Sequence, residues 1–300
     1  MQELPGQKIK TGMVAIVGPP NVGKSTLLNT LLGQKISIVS SKPQTTRNRI
    51  IGIVNDPSYQ IVLLDTPGLH RAGSPLNLEM VRIATESLAG VDAICFLLDV
   101  SLPLPEKDAT AVDFLKDIGC PAILVLNKID LKDRQALLPM IDAYRKLFPF
   151  AAIIPISALY NNGTDILIRE ILAHLPEGPR LYPDDIPTES TERFIVAEMI
   201  REKIFLHTGQ EVPYAAAVVV ESFEEDEARG LVTIHATIYV EKDSQKGIII
   251  GSKGSRLTKI GSSARQDIEE LLGQKVLLKL WVKVKKHWTR DLRFIRELGG

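Results

Sequence analysis

"GPPNVGKS", Gly18 to Ser25, is the stretch that decides the fold. It sets Gly18, Gly23, Lys24 and Ser25 at the spacing G-x-x-x-x-G-K-[ST]. The apolar run "MVAIV" leads in and the helix-forming "STLLNTLLG" leads out. Glycines let backbone N–H groups turn inward on phosphates, and the start of a helix adds the positive end of its dipole. Pro19, Pro20, Asn21, Val22 and Thr26 complete the loop. Lys24 is then placed to reach the β and γ phosphates, and Ser25 to ligate Mg²⁺. The competing reading is a plain strand-to-helix turn. Such a loop implies a nucleotide but not its base, because kinases and ATPases share it.

Outward from the loop, the chain to about Leu175 alternates apolar runs with helix-like segments. "MVAIVG", "IVLLD", "AICFLLDV", "AILVLN" and "AIIPIS" suit strands buried on both faces of a parallel sheet. "RIIGIV" and "YQIVLLD", joined by the turn-rich "NDPS", predict an antiparallel hairpin. The expectation is a mixed, mostly parallel α/β sheet of about six strands. "LPEGPRLYPDDIPTE", Leu175 to Glu189, has four prolines and no apolar periodicity, and reads as a linker. Beyond it come a helix in "RFIVAEMIREKIFLHTG", strands in "YAAAVVVES" and "LVTIHATIYVEK", and the acidic "FEEDEARG" as their connection.

Two short motifs choose the base. "DTPG", Asp65, Thr66, Pro67 and Gly68, ends an apolar strand, where a metal-side aspartate and a γ-phosphate sensor belong. "NKID" ends another strand. There Asp130 can accept the ring N–H and exocyclic amine of guanine, a donor pair that adenine lacks. Asn127 can bond the purine edge and brace the loop, and the stem of Lys128 can lie over the base. Ser157 and Ala158, in "ISA", end the next strand, where a backbone N–H can meet the guanine O6.

A second glycine cluster, "GIIIGSKGSRLTKIG", lacks the G-K-[ST] order. It contains G-x-x-G at Gly251, Ser252, Lys253 and Gly254, a pattern that carries little weight alone. Leu257, Ile260, Ala264, Ile268 and Leu271 predict a helix after it, and "KVLLKLWVKVKK" a strand of period two. From Lys246 to Arg290 stand eleven lysines and arginines against Asp267, Glu269 and Glu270, a net of +8. On the last strand Lys279, Trp281, Lys283 and Lys285 alternate with apolar residues, a basic edge with an aromatic in it. An ordinary solvated face and a packing tryptophan are the bland alternatives.

Taken together, "LLGQKISIVSSKPQTTRNRIIGI", "DTPGLH", "REKIFLHTGQEVPY", "IGSSAR" and "LWVKVKKHW" resemble, in order, the Era family of ribosome-assembly GTPases. The resemblance covers nearly the whole chain. It implies a P-loop GTPase domain over 1–175, a linker over 176–190 and an α+β type II KH domain over 191–300 that binds RNA. It makes "QTTRN" the first switch, with Thr46 closing on Mg²⁺ and Thr45 as the alternative. It implies GTP and GDP as ligands. It also implies the 3′ end of small-subunit ribosomal RNA as partner, a role in small-subunit assembly, a monomer, and cytoplasmic residence with peripheral attachment to the inner face of the cell membrane left open. In a KH clamp, Gly251–Gly254, Arg256, Lys259, Trp281, Lys283 and Lys285 would meet RNA. A GTP-gated RNA scaffold with negligible turnover is the alternative.

Hydrolysis is less defined. Ras-like GTPases orient water with a glutamine after D-x-x-G. Here Leu69 stands there, and it cannot hydrogen-bond water. Asn21 either ligates a K⁺ ion beside the phosphates, as in related GTPases, or only braces the loop. His70 lies nearest the chemistry but is not expected to be the base.

The 300 residues are 45% hydrophobic and 24% charged, with 36 basic and 36 acidic side chains, so global charge names no partner. Cys95 and Cys120 lack metal-site spacing and imply no disulfide framework, which fits a reducing cytoplasm. The N-terminus shows no signal-peptide core, and no apolar run reaches the roughly 18 residues of a membrane span.

Overall fold

The computed structural model describes residues 8–40, 42, 45–68, 75–102, 112, 114–209 and 211–298. The chain divides into two compact units. Met1–Gln34, Thr46–Arg71 and Met80–Glu189 make the first, and Lys35–Thr45, Ala72–Glu79 and Ser190–Gly300 the second.

In the first unit, β1 (Ile9–Val17) leads into α1 (Lys24–Leu32), and β2 (Ile50–Asp56) pairs antiparallel with β3 (Tyr59–Asp65) as the expected hairpin. After α2 (Pro75–Glu86), whose residues 75–79 belong to the second unit, come β4 (Ala93–Asp99), β5 (Ala122–Asn127), α3 (Leu138–Leu147), β6 (Ala152–Pro155) and α4 (Thr164–His174). The strand order is β2-β3-β1-β4-β5-β6, with β1, β3, β4, β5 and β6 mutually parallel. Every residue of β4 and β5 is buried, which is why these strands read as unbroken apolar runs. Cys95 lies wholly inside, and burial pushes its thiol up to about 12, so it is an inert packing residue. The strand ends Asp65, Asp99 and Asn127 all lie at the carboxyl edge of the sheet, where open α/β sheets bind ligands.

The proline-rich segment is not a loose connection. Its Glu177–Gly178 adds a short strand, β7, antiparallel to β1. The rest is held by polar groups of the hairpin. The side chain of Gln60, itself buried, accepts from the N–H of Leu181 at 2.7 Å and of Tyr182 at 2.9 Å and donates to the Tyr182 carbonyl at 2.8 Å. Arg180 donates to the Asp56 carbonyl and Thr188 to that of Ile51. Prolines bar a regular ladder, and side chains satisfy the backbone instead.

In the second unit α5 (Glu192–His207) opens the order, followed by β8 (Ala217–Asp226), β9 (Leu231–Val240), α6 (Asp243–Ile250), α7 (Ser255–Leu272), β10 (Lys275–Val284) and α8 (Leu292–Glu297). β8 and β9 are antiparallel, and β9 and β10 parallel. β8 runs on through the acidic "FEED", so only the turn after Asp226 connects it to β9; ladder pairing overrides a composition that suggested a loop. Ile260, Ala264 and Ile268 of α7 are buried and Leu257 and Leu271 half-buried, on one face as expected. Gly261 of α7 lies against Leu280 of β10, and Trp288 is fully buried with its Nε1 donating to the Ala215 carbonyl at 2.9 Å.

Residues 35–45 belong to this unit although they follow α1 in sequence. Lys35 Nζ sits 2.6 Å from Glu202 and 2.7 Å from Asp267, and Glu202 also accepts from the N–H of Val39 at 2.8 Å. Lys42 Nζ donates to the carbonyls of Phe205 and Thr208. These contacts fasten the segment to α5. Among the described residues no helix is long and apolar enough to cross a membrane.

Candidate functional site

The loop between β1 and α1 is shaped by backbone conformations that side chains disfavour. Gly18 has φ +151°, and a Cβ there would stand 2.3 Å from the Leu97 carbonyl oxygen. Gly23 caps α1, whose own first turn holds no acidic residue. Lys24 is buried, with Nζ donating to the carbonyls of Gly18 at 3.2 Å and Pro19 at 3.0 Å. Burial lowers its pKa to about 8, against the opposing pull of Asp65.

Three oxygen-bearing side chains converge beside it. Ser25 Oγ donates to Asp65 Oδ2 at 2.7 Å and lies 3.0 Å from Thr46 Oγ1. Two hydroxyls and a carboxylate form the hard-oxygen donor set that Mg²⁺ prefers, alongside waters and substrate oxygens. The residues therefore fit that ion. Thr45 Oγ1 instead donates to the Lys42 carbonyl at 2.7 Å, away from this cluster. Thr66 is buried and donates to the Ile16 carbonyl at 3.0 Å, and a Cβ on Gly68 would stand 3.1 Å from the Pro20 backbone, which places "DTPG" beside the first loop. Pro67 is buried there too. Leu69, His70 and Gln44 lie outside the described residues.

The base end is built from β5 and β6. Asn127 donates to the Val22 carbonyl at 2.8 Å and accepts from the Ala158 N–H at 2.9 Å, tying three loops together. Lys128, at φ +67°, donates to the Asn21 carbonyl at 2.8 Å and pairs with Asp99 at 2.6 Å. Burial would raise the Asp99 carboxyl, but Lys128 and Ser101 hold it below the usual range. Ser157 Oγ donates to Asp130 Oδ1 and so orients that carboxylate. Asp130, Ser157, Ile129, Lys132, Tyr160 and Asn162 border an open cavity of about 390 Å³, within the range of small-molecule sites. Sequence reasoning missed Asp99, Tyr160 and Asn162. Asp99 had a signal, since it ends the strand next to β5 in register with Asn127.

The second cluster joins α6 to α7. Gly251 has φ +72°, and a Cβ there would meet Arg256 Cβ at 2.8 Å; Gly254 faces open space. Lys253 is left-handed at φ +50° and exposed, as is Ser252. The first turn of α7 holds no acidic residue, and Lys259 is exposed one turn on. Arg256 donates to the Ile248 carbonyl and braces the turn. Not all predicted RNA residues gather here. β10 turns Leu280 toward α7, so the alternate residues Trp281 and Lys283 lie on the opposite face of the sheet. Trp281 packs against His235 with ring centroids 5.2 Å apart, and Lys283 lies 3.3 Å from Glu221. Lys285 covers the Phe294 ring at 3.5 Å. The strand alternation was read correctly, but it separates these side chains from the glycine loop.

The comparisons with known proteins follow the same division. A family model described as a 50S ribosome-binding GTPase matches residues 13–128, and a KH domain model matches residues 211–289. GTPase Era of Syntrophus aciditrophicus is 51% identical over 290 residues, covering 97% of this chain and 95% of the relative. A variant of Aquifex aeolicus Era bound to GDP and AlF4 matches with a TM-score of 0.93 at 43% identity, over 97% of this chain and 99% of that one. A structure of Era in complex with MgGDPNP and nucleotides 1506-1542 of 16S ribosomal RNA matches equally, with the same TM-score, identity and coverage. With half its residues identical to a curated relative over nearly the full length, this chain belongs to the GTPase Era family.

Proposed function

We propose that this GTPase binds GTP with Mg²⁺, hydrolyses it to GDP and phosphate, and uses its nucleotide state to govern an RNA clamp. The observation that carries this reading is the convergence of Ser25, Thr46 and Asp65 within 3.0 Å steps beside buried Lys24. Ser25 and Thr46 would hold the metal directly and Asp65 through water. A bound Mg²⁺ would supply positive charge against the charge that develops on the phosphates. The chain's own part is to hold the phosphates on Gly18–Thr26, set the Lys24 charge against them, and read guanine with Asp130 and Ser157, beside Ala158, whose N–H is held by Asn127. Asn127 and Lys128 keep those loops in place. The GTPase domain spans 1–175, with 176–190 leading to a KH domain over 191–300.

Gly251–Gly254, with the start of α7 and Lys259, is the clamp for a single-stranded RNA backbone. The relative bound to 16S ribosomal RNA supports the small-subunit 3′ end as the target and small-subunit assembly as the setting. That setting supports cytoplasmic residence. Attachment to the inner face of the membrane is tested by flotation with anionic vesicles. Trp281, Lys283 and Lys285, on the far side of the β10 strand or against Phe294, would meet a different part of the RNA than the clamp does.

Multiple-turnover phosphate release with and without the RNA tests the reading. Steady turnover abolished by Lys24→Ala is expected. A single burst, with no turnover even with RNA, would make the chain a GTP-gated scaffold instead. Replacing K⁺ by Na⁺ should slow the parent and not Asn21→Ala if Asn21 ligates K⁺; equal rates in both salts leave Asn21 as a brace.

A further inference from the structure

Thr45 and Thr46 are neighbours with different partners. Thr46 reaches Ser25 in the first unit, whereas the Thr45 carbonyl accepts from Arg201 Nη2 in the second. Arg201 is almost wholly buried on α5. A buried charge requires a partner, and Glu198 supplies a two-point one, with Arg201 Nε at 2.7 Å from Glu198 Oε1 and Nη2 against Oε2. That fork locks the guanidinium plane, which makes it a rigid donor rather than a roaming one. Consecutive Cα atoms are about 3.8 Å apart, so a fixed Thr45 carbonyl leaves the Thr46 side chain little room to wander. The same segment is anchored at its start, where Lys35 joins Glu202 and Asp267. Lys203 pairs with the same two acids, so they stay partnered when Lys35 is absent.

We propose that Arg201, on the first helix of the RNA-binding unit, is a positioning residue for GTP hydrolysis, holding Thr45 so that Thr46 meets the metal, with Lys35 anchoring the other end of the segment. This rests on the reading of Thr46 as a metal-closing threonine. Arg201 itself touches neither substrate nor metal.

The test compares Arg201→Gln, Arg201→Lys, Lys35→Met, Thr46→Ala and the double variant Thr46→Ala/Arg201→Gln, with Arg229→Gln at an exposed turn as control. Phosphate release, the Mg²⁺ concentration for half-maximal rate, and the affinities for GDP and a non-hydrolysable GTP analogue are measured. Arg201→Gln should slow hydrolysis about tenfold, a typical size for coupling between sites, and raise the Mg²⁺ requirement while GDP affinity stays unchanged. Arg201→Lys, which keeps one donor, should recover part of the rate. Added to Thr46→Ala, Arg201→Gln should slow nothing further. Equal losses of GDP and GTP-analogue affinity, or a further loss in the double variant, would make Arg201 merely structural and overturn the proposal. If Arg201→Gln does not fold, Lys35→Met carries the decision: a smaller loss of the same pattern supports the proposal, and wild-type hydrolysis and Mg²⁺ dependence overturn it. A Thr46→Ala protein that hydrolyses GTP normally would instead remove the underlying reading of Thr46.

Discussion

Lys24 is held in the interior by two carbonyls, and its depressed pKa has a measurable consequence. A lysine whose folded pKa lies below its unfolded value binds fewer protons when native. Its cost to stability is present in full below about pH 8 and disappears as pH rises toward the ordinary 10.5. Protein stripped of nucleotide should therefore gain stability between pH 8 and 9.5 relative to Lys24→Met, by up to about 2 kcal/mol. Urea midpoints of the two proteins across that window check this; parallel curves would mean that Lys24 is not desolvated as the geometry implies. Asp130 makes a second prediction at this scale. Asp130→Asn replaces an acceptor by a group that can donate, so GTP affinity should fall by about 3 kcal/mol or more and xanthosine triphosphate affinity should rise. Calorimetry with both nucleotides decides it, and unchanged GTP affinity would remove Asp130 from the base site. Residues in contiguous motifs were legible because spacing alone carries their chemistry. Asp99 and Tyr160 were not, because they reach the site through sheet register and a loop after β6, neither of which a local pattern displays.

Elements were legible where one period ruled them. The buried strands β4 and β5, the hairpin of β2 and β3, and the amphipathic α7 each announced themselves. The proline-rich 176–190 did not, since its order comes from side chains far away in sequence. Gln60 is the main one, wholly buried in a strand and bonded to the backbone of Leu181 and Tyr182. Gln60→Leu keeps the volume but strands those N–H groups, so it should cost about 2 kcal/mol or more. Urea unfolding measures this, and a silent substitution would return the segment to a loosely held linker. The same limit applies to Lys35 and Lys42, whose partners, Glu202 and the carbonyls of Phe205 and Thr208, lie more than 160 positions away on and just after α5.

In the proposed reading of the whole molecule, two phosphate cradles would serve two ligands. The first would grip a nucleotide with a fixed lysine and a donor set for a metal. The second offers no such set: it presents exposed Ser252 and Lys253 between glycines, open space at Gly254, and the uncompensated start of a long helix. RNA affinity tests most directly that this second loop is the clamp of a GTP-controlled protein. Fluorescence anisotropy would follow a short single-stranded RNA with the sequence of the small-subunit 3′ end, at several salt concentrations, with the parent and with Ser252→Asp/Lys253→Asp. Both glycines are kept, so the turn survives, and GTP binding should be unchanged. The account predicts a large loss of RNA affinity and a salt dependence flatter by about one ion's worth. Parent-like affinity with the parent's salt slope would contradict it.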